Sequence, residues 1–370
     1  MRRRVNLEMQ ATQIEAVLQS HRIPGRVTGG VILPRVVRFD LRTSMGVRVR
    51  QVSNLAEEIA MALGVRFTRI YREGAMIHVE IPRDTPGQVL LLPLCRRLAS
   101  IPPLTAVLGL DEEGIPLLLR LPSPDVAHVL VAGTSGSGKT ALLRSMLLSL
   151  ALHNPQGRLQ IVLLDPKGRG LAPLFALPHL LRPPARGAEE AGAVLQKLVQ
   201  EMERRDRLQR SVPHIVVAID ELADLVEEGG KAVMAGVQRL AQRGREAGIH
   251  LIVATQKPTA AAVGSLAKAN FPVRLVGAVT TPEEAKVATG LAASGAEKLT
   301  GRGDFLLVTH GRTLRFQAAF VSPAEATEAV EMLRRGERPP RRLNGPASAE
   351  PSRSGLSTRV RALLSLRARG

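Results

Sequence analysis

Residues 129–140 read VLVAGTSGSGKT, and this stretch decides the fold of the chain. An apolar strand runs into a glycine-rich loop that fills the pattern G-x-x-x-x-G-K-[ST], and an apolar helix follows. In such a loop, backbone N–H groups and the helix start face the phosphates of a nucleotide. Lys139 is expected to reach the β- and γ-phosphates, and the Thr140 hydroxyl to bind Mg²⁺. The predicted ATP-binding residues are Gly133, Thr134, Ser135, Gly136, Ser137, Gly138, Lys139 and Thr140. A glycine-rich turn before a helix is the alternative, and the register of the lysine and threonine disfavours it.

Downstream of the loop, continuous apolar segments alternate with segments of helical character. This pattern is typical of a mostly parallel sheet that is covered by helices on both faces. The sequence therefore predicts an α/β fold with helices between the first four strands. Strands are expected at 127–132, 159–165, 214–219, 249–255, 273–278, 304–309 and 314–320.

The part before the loop has a different pattern. Residues 5–21 predict an amphipathic helix, and alternation of apolar and basic residues over 31–50 predicts half-buried strands. A helix at 53–63 and strands at 67–71 and 76–81 complete a small α+β domain, and 101–124 are interpreted as a connecting region. The predicted organisation is an N-terminal helix (1–23), the small α+β domain (24–100), the nucleotide-binding domain (101–337) and a basic, flexible tail (338–370).

Composition narrows the partners of the chain. A net charge of +18 over 370 residues indicates an anionic polymer or surface. Aromatic residues make up 2%, and single-strand binders usually stack bases on aromatic side chains, so duplex DNA is favoured. One cysteine excludes an intrachain disulfide, and no apolar run is long enough to span a bilayer. We therefore expect a cytoplasmic protein without a transmembrane segment.

Two neighbouring acids follow the apolar strand at 215–219. Asp220 is expected to hold Mg²⁺, and Glu221 to polarise the water that attacks the γ-phosphate. Surface acids that happen to end a strand are the alternative. Gln256 ends the next predicted strand at the same sheet edge and is a candidate γ-phosphate sensor. Together these residues predict an ATPase.

A predicted helix over 231–247 carries Arg239, Arg243 and Arg245. Their spacing alone favours a solvated helix face. The alternative is an arginine finger that reaches the nucleotide of a neighbouring subunit.

Several segments together resemble the motor domain of the FtsK/SpoIIIE double-stranded DNA translocases. The small N-terminal domain carries matching segments as well, so the resemblance covers about residues 24–322. The segments in the motor domain are GTSGSGKT (133–140), LDPK (164–167), IVVAIDELADL (215–225), RLAQRGREAGIHLIVATQKP (239–258), KANFPVR (268–274), GAEKL (295–299) and GRGD (301–304), and those before it are VVRFD (36–40) and VSNL (52–55).

The resemblance implies a RecA-like P-loop domain in a homo-hexameric ring that encloses duplex DNA, with roles in chromosome partition at cell division or in DNA transfer. Mapped by motif, Lys139 and Thr140 are the phosphate-loop pair, Asp220 and Glu221 the acidic pair, Gln256 the sensor, and Arg245 the arginine finger. The resemblance also suggests DNA contacts from Lys257, Lys268, Arg274 and Arg302.

Two other functions are compatible with the motor core. Secretion and conjugation ATPases share it and move protein or protein-linked DNA, but the basic N-terminal part and the low aromatic content favour DNA. A regulatory module that binds ATP without turnover is disfavoured by Glu221. Full-length family members carry membrane helices and many carry a C-terminal winged helix, and we expect neither in this chain.

Overall fold

The computed structural model describes residues 2–34, 36–83, 87–98, 100–256, 270–337 and 361–362. They form two compact units: a smaller one up to Gln88 that includes 112–114, and a larger one made of the other described residues. The division falls after Gln88 and not at residue 100. The reason is that Leu91 and Leu94 are buried in the core of the larger unit.

The smaller unit is an antiparallel sheet with helices on one face. Its strand order is β1-β2-β4-β3, and the alternating residues Phe39, Leu41, Ile77 and Val79 lie in the core beneath the helices. This arrangement agrees with the predicted α+β domain. The elements are α1 (Arg2–Ser20), β1 (Gly25–Ile32), β2 (Val36–Thr43), α2 (Val49–Ser53), α3 (Ala56–Leu63), β3 (Arg69–Glu73) and β4 (Met76–Pro82).

The prediction of a strand up to residue 50 was wrong. The chain turns after β2, and α2 begins at Val49. The Arg48 N–H donates to the side-chain oxygen of Gln51 at 2.9 Å, which ties off the start of this helix. Val52 is buried in the core, which favours a helix here. The predicted strand rested only on a short alternation of valine and arginine.

The larger unit is a sheet flanked by helices. Its elements are β5 (Val89–Leu90), α4 (Leu91–Arg97), β6 (Thr105–Asp111), β7 (Pro116–Arg120), β8 (Val129–Ala132), α5 (Lys139–His153), β9 (Leu159–Leu164), α6 (Ala188–Leu208), β10 (His214–Ile219), α7 (Leu222–Arg243, interrupted at Gly230), β11 (Ile249–Thr255), β12 (Val273–Val276), α8 (Pro282–Thr289), β13 (Asp304–Thr309), β14 (Arg312–Phe320), α9 (Pro323–Arg334) and β15 (Arg361–Ala362). Short 3₁₀ turns lie at Ala172–Leu174 and Ala296–Lys298.

The sheet has a parallel centre and an antiparallel flank. Its order is β15-β7-β6-β14-β13-β12-β8-β11-β10-β9, with β5 beside β14. The strands β12, β8, β11, β10 and β9 are parallel, which agrees with the predicted α/β fold, whereas β12, β13, β14, β6 and β7 pair antiparallel. Short turns join β6 to β7 and β13 to β14, and such connections permit only antiparallel pairing. The sheet as a whole is therefore mixed.

All seven predicted strands of this unit are present, but the hairpin of β6 and β7 was missed. It lies in the segment interpreted as a connecting region. Pro102, Pro103, Gly109 and Pro116 interrupt the apolar pattern there, and these residue types normally mark loops. Pairing of β6 with β14 stabilises the hairpin, and this contact cannot be read from the local sequence.

The parallel centre is covered on both faces. Val129 and Val131 face the cluster that contains α5, and Leu130 faces the cluster that contains α6 and α7. Helix α5 is buried almost all round, which accounts for its nearly continuous apolar sequence. Because β8, β9, β10 and β11 run parallel, the loops that follow them lie at the same edge of the sheet. Among the described helices, none has the length and apolar character that a bilayer crossing requires.

Helix α9 begins with a capping box, whose contribution to stability can be tested. The Glu325 N–H donates to the Ser322 hydroxyl at 3.2 Å, and the Glu325 carboxylate accepts from the Ser322 N–H at 3.0 Å. We predict that Ser322→Ala lowers the free energy of unfolding by about 1 kcal/mol, because the cap is lost. Denaturant unfolding followed by circular dichroism measures this change. Thr327→Ala, on the exposed face of the same helix, is the control, and equal effects of the two variants would contradict the prediction.

Candidate nucleotide-binding site

The phosphate loop lies between β8 and α5 and is anchored to the chain that follows β12. The Thr134 N–H donates to the Ala278 carbonyl at 2.8 Å, and its hydroxyl donates to the same oxygen at 3.0 Å. The Ser137 hydroxyl closes the loop by donating to the Thr134 carbonyl at 2.7 Å. Gly138 has a φ of +103°, and a Cβ there would lie 3.0 Å from the backbone of Gly303, so glycine is required.

A second segment, Gly301 to Gly303, braces the loop from outside. The Arg302 N–H donates to the Gly136 carbonyl at 3.1 Å, and the Gly303 N–H donates to the Ser137 carbonyl at 2.9 Å. Arg302 has a φ of +51°, between two glycines that also have positive φ. Its side chain is exposed. The structure therefore places Arg302 beside the phosphate loop.

The brace is held in turn by a buried carboxylate. Asp304 is fully buried at the start of β13, and Arg315 of β14 donates to its two oxygens at 2.9 and 2.8 Å. The Thr300 N–H donates to the same carboxylate at 2.9 Å. The β13–β14 hairpin therefore supports the phosphate loop, a role that sequence reasoning missed because the partners are far apart along the chain.

Lys139 folds back over its own loop. Its Nζ donates to the Thr134 carbonyl at 2.8 Å, and the side chain is 5% exposed. Burial lowers the pKa of Lys139 to about 8, and the negative charges of Glu221 and Asp220 oppose this change. The ammonium group thus lies at the carboxyl edge of the sheet, within the field of both predicted catalytic acids.

Asp220 and Glu221 directly follow β10. Asp220 contacts the start of α5, and Glu221 contacts the residue that follows β11. Thr140 Oγ1 donates to Asp220 Oδ1 at 2.9 Å. The Gln256 N–H donates to both oxygens of Glu221, at 3.0 and 3.1 Å. The structure therefore brings together Lys139, Thr140, Asp220, Glu221 and the backbone of Gln256 at one sheet edge, and leaves the Gln256 side chain exposed.

The two acids are buried, and burial changes the chemistry of Asp220. Asp220 is 9% and Glu221 3% exposed. Burial raises the pKa of Asp220 to about 6, with smaller increases from the charges of Asp165 and Glu221, while the hydrogen bond from Thr140 acts in the opposite direction. A cation at this carboxylate would therefore relieve an unfavourable burial.

The oxygen atoms of Thr140 and Asp220 form a donor set that fits a small divalent cation. Mg²⁺ prefers oxygen ligands and usually takes one or two protein carboxylates, with phosphate oxygens and waters completing its shell. Within the described residues, no group of three or more histidine, cysteine or acidic side chains is arranged to hold a metal. Two protein oxygens leave the remaining ligand positions of such a cation to waters or to the oxygens of a bound phosphate.

Asp165 is a site residue that sequence reasoning did not identify as such. It is fully buried directly after β9, and its carboxylate accepts from the N–H groups of Gly168 at 2.9 Å and Leu171 at 3.1 Å. At the tip of this turn, Lys167 Nζ lies 2.8 Å from an oxygen of Asp224. The available signal was position, because Asp165 follows its strand as Asp220 follows β10.

The remaining candidates lie elsewhere. Arg239 and Arg243 pair with Glu203 at 3.5 Å and Asp206 at 2.8 Å. Arg245 is exposed just before β11 starts, at the opposite sheet edge from Gln256, and a seven-residue strand separates these edges by about 20 Å. Arg274 is half-buried on β12. Lys257 and Lys268 lie outside the described residues.

Comparisons with known proteins cover both units. The FtsK/SpoIIIE family profile matches residues 99–212 and 206–260, and the FtsK alpha domain profile matches residues 2–83. The chain is similar to the DNA translocase FtsK of Staphylococcus epidermidis, with 33% identity over 89% of this chain and 45% of that protein. It is also similar to the DNA translocase SftA of Bacillus subtilis, with 34% identity over 89% of this chain and 37% of that protein. The chain thus spans about half the length of the curated relatives it matches, or less.

Among solved structures, the fold is similar to that of the pCW3 conjugation coupling protein TcpA in its monomer form with ATPγS. The TM-score is 0.58 at 17% identity, over 88% of this chain and 99% of that one. At this level of identity the similarity concerns the fold.

The buried Asp220 gives a pH prediction. Its pKa rises from 3.8 in the unfolded chain to about 6, so between these values the folded state binds more protons and the free energy of unfolding falls as pH rises. Asp220→Asn removes this cost, and without Mg²⁺ or nucleotide it should stabilise the protein by up to about 3 kcal/mol at pH 8 and by less at pH 5.

Thermal and denaturant unfolding at the two pH values measures the difference. Glu112→Gln, on an exposed side chain, is the control and should change stability at neither pH. A stability difference for Asp220→Asn that is the same at pH 5 and pH 8 would contradict the assigned cause.

Proposed function

Because this chain belongs to the FtsK/SpoIIIE family, we propose that it is an ATP-dependent motor that moves along double-stranded DNA. One observation supports this proposal above the others. Thr140 of the phosphate loop donates to Asp220 at 2.9 Å, and Glu221, the next residue, lies on the backbone of Gln256. A triphosphate in the loop would have its terminal phosphate close to both acids.

The proposed binding step uses the loop and its lysine. Phosphate oxygens would accept from the N–H groups of the loop and from the start of α5. Lys139 would exchange its hydrogen bond to the Thr134 carbonyl for bonds to the β- and γ-phosphates. The negative phosphate would compensate the buried ammonium, whose pKa is lowered by burial. Thr140 and Asp220 would hold Mg²⁺, which neutralises charge on the phosphates.

The proposed hydrolysis step uses Glu221. A carboxylate at this position can orient a water molecule and accept its proton during attack on the γ-phosphate. The Gln256 N–H donates to both oxygens of this carboxylate and so holds it at the end of β11. A change at the γ-phosphate would therefore reach Gln256 through Glu221, which suits a sensor.

We assign Arg245 to a neighbouring subunit's nucleotide. It lies at the sheet edge opposite to the loop, so within one chain it is too far away to stabilise charge at the phosphates. In a closed head-to-tail ring, each subunit presents one edge to the next, and an arginine there completes the neighbouring site. This position supports a ring of subunits, and the number six is what the family resemblance implies.

The proposed partner is the phosphate backbone of duplex DNA. The net charge of +18 suits a polyanion, and the scarcity of aromatic residues suits a duplex better than single strands. Arg274, Lys257 and Lys268 stay candidates for DNA contact, and Arg302 is also a candidate for the nucleotide side. The corresponding biological role is chromosome partition or DNA transfer in the cytoplasm.

Glu221→Gln tests the hydrolysis step. We expect kcat for ATP hydrolysis to fall by about a thousandfold, because loss of a general base typically costs two to four orders of magnitude. The dissociation constant for ATP should change little, since glutamine retains an oxygen that accepts from the Gln256 N–H. Glu228→Gln, on the exposed part of α7, is the matched control and should leave both quantities unchanged. Undiminished hydrolysis in Glu221→Gln would refute the assigned role.

The DNA partner is tested by stimulation of ATP hydrolysis. Duplex DNA should raise the rate more than single-stranded DNA or an unfolded polypeptide. Binding through about six phosphates should weaken by about a thousandfold between about 50 and 200 mM salt. Steady-state hydrolysis and fluorescence anisotropy at these salt concentrations measure both effects, with Glu221→Gln as a variant that should bind DNA without turnover. Equal rates with and without DNA would contradict the motor, and stimulation by polypeptide alone would favour a secretion-type ATPase.

A further inference from the structure

We propose that Lys167 contacts the γ-phosphate of bound ATP as a second lysine of this site, and that Asp224 positions its ammonium group. This inference rests on the proposed function. It adds a group that distinguishes a triphosphate from a diphosphate within the same chain.

Lys167 lies on a turn whose position is set by the sheet. The Asp220 N–H donates to the Leu164 carbonyl at 3.1 Å, so β9 and β10 end side by side. Asp165 then closes the turn by accepting from Gly168 and Leu171. A turn fixed at both ends presents the residue at its tip, Lys167, above the carboxyl edge of the sheet.

The same turn packs directly on the proposed Mg²⁺ ligands. A Cβ at Gly170 would clash with the Asp220 carboxylate and would lie 2.6 Å from the methyl group of Thr140. Arg144 of α5 donates to the Gly170 carbonyl at 3.2 Å and to the Val321 carbonyl at 3.3 Å, and this guanidinium is only 7% exposed. The turn is therefore held against the site from two sides.

The orientation of Lys167 is set by α7. Its Nζ lies 2.8 Å from Asp224, in the first turn of the helix that begins directly after Glu221. The side chain is 53% exposed, so its ammonium can be reached from solvent. An ammonium group has three N–H donors, and one bond to Asp224 leaves two for a phosphate oxygen.

The electrostatics agree with this geometry. The hydrogen bond with Asp224 raises the pKa of Lys167, and the charges of Glu221 and Asp220 raise it further. Lys167 in turn contributes to the lowered pKa of Lys139. The two ammonium groups and the two acids are therefore close enough to interact electrostatically. A γ-phosphate bound among them would interact with both ammonium groups.

Stability alone is a weak explanation for the pair of Lys167 and Asp224. Half-exposed ion pairs contribute little to folding, because solvent screens them and both side chains lose conformational freedom. A positioned cation beside the charge of a transferring phosphoryl group, in contrast, acts where it is most effective. A lysine suits that role, since its compact charge can follow the phosphate.

The test compares a triphosphate analogue with ADP. Dissociation constants of Mg²⁺–ATPγS and Mg²⁺–ADP are measured by calorimetry for the full chain and for Lys167→Met, Asp224→Asn and Lys197→Met. We expect Lys167→Met to weaken ATPγS about tenfold and ADP less than about twofold, because only the triphosphate loses a charge-assisted contact. Asp224→Asn should give a smaller loss of the same kind. Lys197→Met, which removes an exposed lysine of α6, should change neither constant.

Four outcomes would overturn the inference or separate it from the proposed function. Equal weakening of both nucleotides by Lys167→Met would mean that the residue only supports the structure, and no weakening would mean a surface ion pair. Thermal melting of each variant shows whether it is folded, and Lys167→Arg should recover part of the ATPγS affinity if charge is what matters. Absence of ATPγS binding by the unmodified chain would refute the proposed function itself, whereas selective binding without DNA stimulation would refute only the motor.

Discussion

The hydrogen bond from Thr140 to Asp220 is the interaction on which the rest of the site depends. It requires β8 and β10 to end at the same edge of the sheet, with β11 between them, because only then do the start of α5 and the end of β10 meet. Parallel pairing of these strands supplies that geometry, and the helices that bury both faces maintain it. This one constraint also sets the positions of the phosphate loop, the two acids and the Gln256 backbone.

Charge burial at this edge is costly for the fold and useful for the site. Burial moves the pKa values of Lys139 and Asp220 in opposite directions, so both groups are less favourable in their charged forms than in water. A triphosphate with its cation supplies the opposite charge to each. Binding would therefore be strengthened by the same desolvation that weakens the folded state, and stability is exchanged for affinity at the place where function needs it.

Much of the fold could be predicted from local pattern. The apolar strands of the larger unit could be predicted because burial on both faces restricts them to apolar residues. The loop at 133–140 could be predicted because close approach to phosphate requires glycines at fixed positions. The hairpin of β6 and β7 could not be predicted, since its prolines and glycine read as a connection. The helix at 49–53 was mistaken for a strand, because two valines and two arginines alternate over too short a stretch to distinguish the periods.

The sequence by itself determined that this chain has a phosphate loop, an acidic pair after an apolar strand and the motifs of the FtsK/SpoIIIE family, because each is a contiguous pattern with its own backbone requirement. Only the tertiary structure decided that Arg302 braces the loop, that Arg245 lies at the far edge of the sheet, and that the turn carrying Asp165 and Lys167 packs against Asp220. These placements arise from contacts between segments far apart along the chain. Such contacts depend on how whole strands and helices pack, and no local pattern records them.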